Sequence, residues 1–152
     1  MIFNTTRFGD VDFPDEKIIH FREGVLGFEM EKQFAVLPFT EEECPLEWLQ
    51  STLTKGLAFV VTDPNIFIPE YAINLLENER EDLELLPGNS FVLRVIVTVP
   101  DSYVNMTANL AGPLVINPEK MIGRQFVLTK PEYDTRHHLF PKDVRESQTF
   151  TS

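Results

Sequence analysis

Proline governs what this chain can become. Eleven of its 152 residues are proline, at positions 14, 38, 45, 64, 69, 87, 100, 113, 118, 131 and 141. A proline inside a helix removes a backbone donor and clashes with the preceding turn, so each one ends or bends a helix. The longest proline-free piece, residues 15–37, is itself interrupted by Gly24 and Gly27. Long helices are therefore excluded. The segments between prolines are rich in β-branched and aromatic residues, several with period-2 alternation. Strands are predicted at 17–21, 34–39, 57–62, 91–99, 114–117 and 124–129. Residues 2–8 and 11–13 are expected to form an opening hairpin that turns at Gly9-Asp10. Segments 47–52 and 72–76 fit a strand or a short helix equally. Residues 77–86, good helix formers stopped by Pro87-Gly88, read as a helix. Thr40 with Glu43 offers a capping box that Pro45 limits to a turn. This pattern predicts a mainly β fold: a small antiparallel β-barrel-like single domain over residues 1–141, with one or two short helices and a loosely ordered C-terminal tail over 142–152.

Charge narrows the function. The chain carries 24 acidic and 13 basic residues, a formal net charge of −11. Such a chain repels a phosphate backbone and an anionic lipid surface, so neither direct nucleic-acid binding nor membrane binding is expected. The longest apolar run, residues 57–61, falls far short of the roughly 20 residues of a membrane helix. The N-terminal residues lack the basic and apolar regions of a secretory signal. The single cysteine, Cys44, has no disulfide partner within the chain. A cytoplasmic location is the expectation.

The charge is unevenly placed. Residues 1–84 hold 18 acidic and 6 basic residues, whereas residues 85–152 hold 6 and 7. Two acidic clusters stand out: Glu41-Glu42-Glu43 with Glu47, and Glu77, Glu79, Glu81, Asp82 and Glu84. Such clusters either solvate a surface or steer a basic protein onto it. In contrast, residues 102–118 carry no charge but include Asn105, Thr107, Asn109 and Asn117. Part of this stretch reads as core strand and part as a loop ordered by asparagine side chains. The proline-bounded segment 63–71, DPNIFIPEY, reads either as a docking edge or as an apolar plug at the barrel end.

Catalytic signals are missing. No glycine-rich phosphate loop, H-E-x-x-H or G-x-S-x-G motif occurs. His20 reads as a packed or edge histidine, and adjacent His137 and His138 point to opposite faces of a strand, which makes a poor ligand pair. No cofactor, metal or catalytic residue is expected, and enzyme chemistry finds no support in these residues.

An ordered set of short segments resembles a known family. It comprises IIHF at 18–21, GVLGF at 24–28, FAVLP at 34–38, WLQS at 48–51, AFVVTDP at 58–64 and PEY at 69–71. It continues with TANLAGPLVIN at 107–117, QFVL at 125–128, and Tyr133, Arg136 and His137. Together these resemble the flagellar assembly factor FliW family over nearly the whole of residues 1–140. The family usually has alanine at the place of Gly112.

The resemblance implies a cytoplasmic, monomeric, chaperone-like protein that binds newly made flagellin. It further implies binding to CsrA, a small basic RNA-binding dimer that represses flagellin translation, with the two partners excluding one another. Secretion of flagellin would then free the protein to remove CsrA from the messenger by mass action. Within that reading Glu77, Glu79, Glu81 and Asp82 are expected to steer CsrA. Asn105, Met106, Thr107, Asn109 and Leu110 are expected to form an uncharged contact surface, unless the asparagines only tie down loop backbone. The alternatives are a small β-barrel ligand-binding protein or enzyme of unknown substrate, and a structural assembly subunit that would oligomerise.

Overall fold

The computed structural model describes residues 1–39 and 44–151, so the Thr40–Glu43 capping box and the Glu41-Glu42-Glu43 cluster lie outside the described residues. The strands are β1 (Ile2–Thr5), β2 (Gly9–Asp12), β3 (Ile19–Phe21), β4 (Gln33–Pro38), β5 (Leu46–Ser51) and β6 (Ala58–Thr62). They continue as β7 (Val92–Thr98), β8 (Thr107–Ala108), β9 (Leu114–Asn117), β10 (Ile122–Gln125) and β11 (His137–His138). Three short helices, α1 (Pro64–Phe67), α2 (Glu77–Asp82) and α3 (Lys142–Thr151), accompany them. The 72–76 segment joins neither class, and 47–52 is strand through Ser51.

Seven strands close a barrel in the order β7-β6-β5-β4-β3-β10-β9, with β9 pairing back onto β7. On the side away from β6, β7 serves two neighbours: Val92–Arg94 pair with β9, and Val97–Thr98 pair with β8, to which β11 adds an edge. All pairs in the ring are antiparallel except β3–β10, which is parallel through Ile122↔His20 and Gly123↔Phe21. This parallel seam requires a crossover, because strands in the same direction cannot be joined by a tight turn. The chain provides it by building the rest of the barrel between them.

The opening hairpin forms as expected, but its turn is displaced. Thr6–Phe8 make the turn, and Gly9 and Asp10 belong to β2, paired with Thr5 and Asn4. The Thr5 hydroxyl explains the shift: it donates to the Gly9 carbonyl at 2.9 Å and accepts from the Phe8 N–H at 2.8 Å. The strand expected at 124–129 starts two residues earlier and ends at Gln125.

Burial shows why several strands read as continuous apolar runs. The barrel interior holds Ile19, Phe21, Val25, Phe34, Leu49, Val61, Leu114 and Ile116. In β4, Phe34 enters this interior, while Ala35 and Leu37 lie in a second cluster with Phe3 beneath the β1–β2 hairpin. In β9, Leu114 and Ile116 face inward, whereas Val115 packs with Leu83 and Leu85 just after α2. Strands covered on both faces need no polar alternation. His20 is the exposed residue between buried Ile19 and Phe21, which places it on the outside of the barrel.

The interior is closed around one ring. Phe21 is fully buried and meets Phe34 edge-on, with centroids 5.6 Å apart. Its ring also covers Gly123 across the parallel seam, where an added Cβ would stand 2.7 Å from the ring. A buried ring held on all sides has no room to retreat. At Gly112 the nearest obstacles to a Cβ are the side-chain ends of Asn109 and Gln125, at 2.8 and 3.0 Å. We expect Gly123→Ala to destabilise the protein by about 2–3 kcal/mol through overpacking, and Gly112→Ala by less than about 1 kcal/mol. Urea unfolding midpoints of the two variants check this; equal losses would contradict it.

Candidate functional site

The acidic helix α2 is short and held at both ends. Its N-terminus is satisfied by the Glu79 carboxylate, which accepts from the Leu76 N–H at 2.7 Å. At its C-terminus Glu84 adopts a left-handed φ of 56°, and the Leu85 N–H reaches back to the Arg80 carbonyl at 2.9 Å. That is the geometry of a Schellman stop, with glutamate where glycine is usual. The expected helix over 77–86 therefore ends at Asp82, because Leu83 and Leu85 turn inward and are buried.

The four acids expected to steer a partner divide by their surroundings. Glu79 caps the helix. Asp82 accepts from Arg124 at 2.9 Å, and Arg124 also approaches Glu23 at 3.5 Å. Arg22 pairs with Glu84 and donates to the Asp82 carbonyl. Glu77 and Glu81 are exposed, and their carboxylates have no hydrogen-bond or ion-pair partner among the described residues. They are the two acids of the set free to meet an incoming cation.

The uncharged stretch divides in the same way. Asn105 is exposed and Thr107 half-buried. Met106 and Leu110 are 3% and 1% exposed and pack in the cluster that covers β7, so the expectation that they belong to a contact surface is corrected: they are core. Tyr71 is buried beside them, and its hydroxyl donates to the Leu110 carbonyl at 2.7 Å. Burial pushes that hydroxyl well above its usual pKa, which keeps the donor protonated.

Asn117 is a structural asparagine. Its amide donates to the Leu83 and Glu84 carbonyls at 2.8 and 3.2 Å, and its oxygen accepts from the Glu119 and Lys120 N–H groups. The half-buried Asn109 differs, since its buried Oδ1 has no partner among the described residues. Gln125 does the tying there. It donates to the Gly112 carbonyl at 2.9 Å and accepts from the Leu26 N–H at 2.8 Å.

Asn117 thereby joins α2 to the β9–β10 turn, and between these elements lies a groove of about 600 Å³. Leu85, Leu86 and Pro87 line it together with Glu77, Glu81 and Glu119. The groove has no signature in the sequence, because Glu119 and Lys120 stand more than thirty residues from α2 and no local pattern links them. Segment 63–71 resolves into the helix α1 begun by Asp63, which accepts from the Asn65 N–H. Its Phe67 packs edge-on against Phe140 while Ile66 stays 58% exposed, so the segment is partly plug and partly surface.

Among the described residues no group of three or more His, Cys, Asp or Glu is arranged to hold a metal. Nor is any described helix long and apolar enough to cross a membrane. His137 and His138 point to opposite faces of β11, with His137 3.6 Å from Asp134.

The contrast between the two asparagines is measurable. Asn117→Ala should cost about 2–3 kcal/mol, because it strands the buried Leu83 carbonyl and three part-buried backbone groups, and Asn109→Ala less than about 1 kcal/mol. Denaturant unfolding of both variants tests this, and a larger loss at Asn109 would contradict it.

Comparison with known proteins agrees with this architecture. Residues 2–139 match the model of the family described as FliW protein. A flagellar assembly factor FliW from Desulfitobacterium hafniense (strain Y51) is 43% identical over 149 residues, covering 98% of this chain and 97% of its own. Another from Geobacillus thermodenitrificans (strain NG80-2) is 41% identical over 136 residues, covering 90% of this chain and 93% of its own. A crystal structure of the flagellar assembly factor FliW superposes with a TM-score of 0.84 at 39% identity, covering 93% of this chain and 99% of that one. The barrel with its parallel seam, the acid-capped helix beside it and these matches along nearly the full length lead to one assignment: the chain belongs to the FliW family of flagellar assembly factors.

Proposed function

We propose that this protein is a cytoplasmic, monomeric binding protein, without enzymatic activity, that switches between two partners: unpolymerised flagellin and the translational repressor CsrA. Family membership supports the flagellar setting, and the resemblance carried by the ordered sequence segments supplies the two partners. The observation that carries the basic partner is the pair of unpaired carboxylates on α2, Glu77 and Glu81, on a chain of net charge −11. Opposite charge steers a basic protein toward this surface and repels RNA, so the protein acts on the repressor and not on the messenger. If binding here weakens RNA binding by the repressor, RNA must weaken this binding by the same factor.

Glu77→Lys with Glu81→Lys should slow association with CsrA on the order of ten-fold at low salt and flatten its salt dependence. Neither substitution breaks an internal contact, so the unfolding midpoint should stay put. Stopped-flow association across a salt series reads the rates. Size-exclusion chromatography with light scattering tests the switch itself. A discrete complex with unpolymerised flagellin of the same organism, displaced by CsrA, is the expected result. Folded proteins that form no complex with either partner would overturn the proposal.

A further inference from the structure

We infer that the groove between α2, residues 84–87 and the β9–β10 turn is a docking site for a short peptide segment that alternates basic and apolar residues. The inference rests on the reading of α2 as a partner-facing surface and says what that surface grips.

The apolar half of the argument is the Leu85-Leu86-Pro87 run. Leu85 is 6% exposed and belongs to the cluster under α2, whereas Leu86 is 64% exposed beside it. The groove therefore offers an apolar strip continuous with the core. An apolar side chain seated there is removed from water on both sides of the contact.

The polar half is charge. Glu77, Glu81 and Glu119 have side chains with no partner among the described residues, and they come from the two elements that flank the groove. The two nearby arginines do not neutralise them. Arg80 is turned into the wall, donating to the Leu86 and Asn89 carbonyls at 3.0 and 2.9 Å. Arg22 is engaged by Glu84. Lys120 is the remaining cation among the lining residues. An anionic ligand meets three free carboxylates here, and a neutral apolar molecule leaves them unmatched. A segment with lysine or arginine on either side of an apolar residue satisfies both features at once.

The groove is also preformed. Asn117 bonds to backbone on both of its walls, at Leu83 and Glu84 on one and at Glu119 and Lys120 on the other. Arg80 fixes the apolar strip through the Leu86 carbonyl. A site whose walls are already tied loses little conformational freedom when it is filled.

The test is an amide-resolved NMR titration of the ¹⁵N-labelled full chain with a synthetic peptide, acetyl-Lys-Leu-Lys-Leu-Lys-amide. Two controls replace leucine by serine or lysine by glutamate. Saturable shifts confined to residues 77–88 and 118–121, lost with both controls, are expected. Leu86→Ser and Glu81→Lys should each weaken peptide binding about ten-fold. Both positions are exposed, and retained amide dispersion confirms their folding. Equal shifts from the serine peptide, shifts scattered over the surface, or no shifts would overturn the docking site. The same variants separate this inference from the partner switch. If Leu86→Ser binds the leucine peptide as tightly as the parent chain while CsrA and flagellin still bind and displace one another, the groove is overturned and the switch stands. If the leucine peptide titrates the groove while neither partner binds, the switch is overturned and the groove stands.

Discussion

The contact between the Phe21 ring and Gly123 holds the barrel shut. It sits where β3 and β10 run in the same direction, the one parallel pairing of the ring. Parallel pairs cannot be made locally, so this seam forms only once residues about a hundred apart in sequence have met. Glycine on one strand lets the aromatic ring of the other lie across the seam, and the ring covers backbone that glycine leaves bare. Phe34 then packs against the same ring, and Phe59 tilts against Phe34 at 6.1 Å. The interior is thus organised outward from one residue pair.

The outside of the barrel is covered in pieces, and function follows from which piece does the covering. The β1–β2 hairpin lies over β4 and β5, with Phe8 edge-on to Trp48. Residues 83–85 lie over β9 and β10. Because Leu83 and Leu85 must turn inward, α2 is short and its acids are presented beside the barrel rather than buried in it. Arg22, just after β3, and Arg124 of β10 absorb the charge of Glu84 and Asp82. What remains is a smaller and better defined negative surface than the sequence cluster suggests, next to an apolar strip. Exposed ion pairs of this kind contribute little stability; here they matter for deciding which carboxylates are available.

Part of this fold is legible in the order of residues. Proline spacing excludes long helices, and period-2 alternation locates most strands, because both are local properties of the backbone. The 114–117 strand matches its expected bounds to the residue. The hairpin is legible but its turn is not, since the Thr5 hydroxyl, rather than Gly9-Asp10, organises the reversal. Met106 and Leu110 read as a contact surface because their segment is uncharged and polar-rich; they are core because they pack in the apolar cluster over β7. Asn117 is legible as a loop tie by residue type alone, whereas its partners beside α2 are not.

By itself, then, the sequence determined the all-short-element β character, the apolar strands that fill the interior, the acidic first half and, through its ordered segments, the family. These depend on residue type and on neighbours a few positions away. The tertiary structure decided the parallel seam, the division of the α2 acids into capping, paired and free, and the joining of α2 to the β9–β10 turn through Asn117. Apart from the local Glu79 cap, each of those depends on groups that meet only after chain closure. Charge and hydrogen-bond partners act over a few ångströms of space, whatever the distance along the chain.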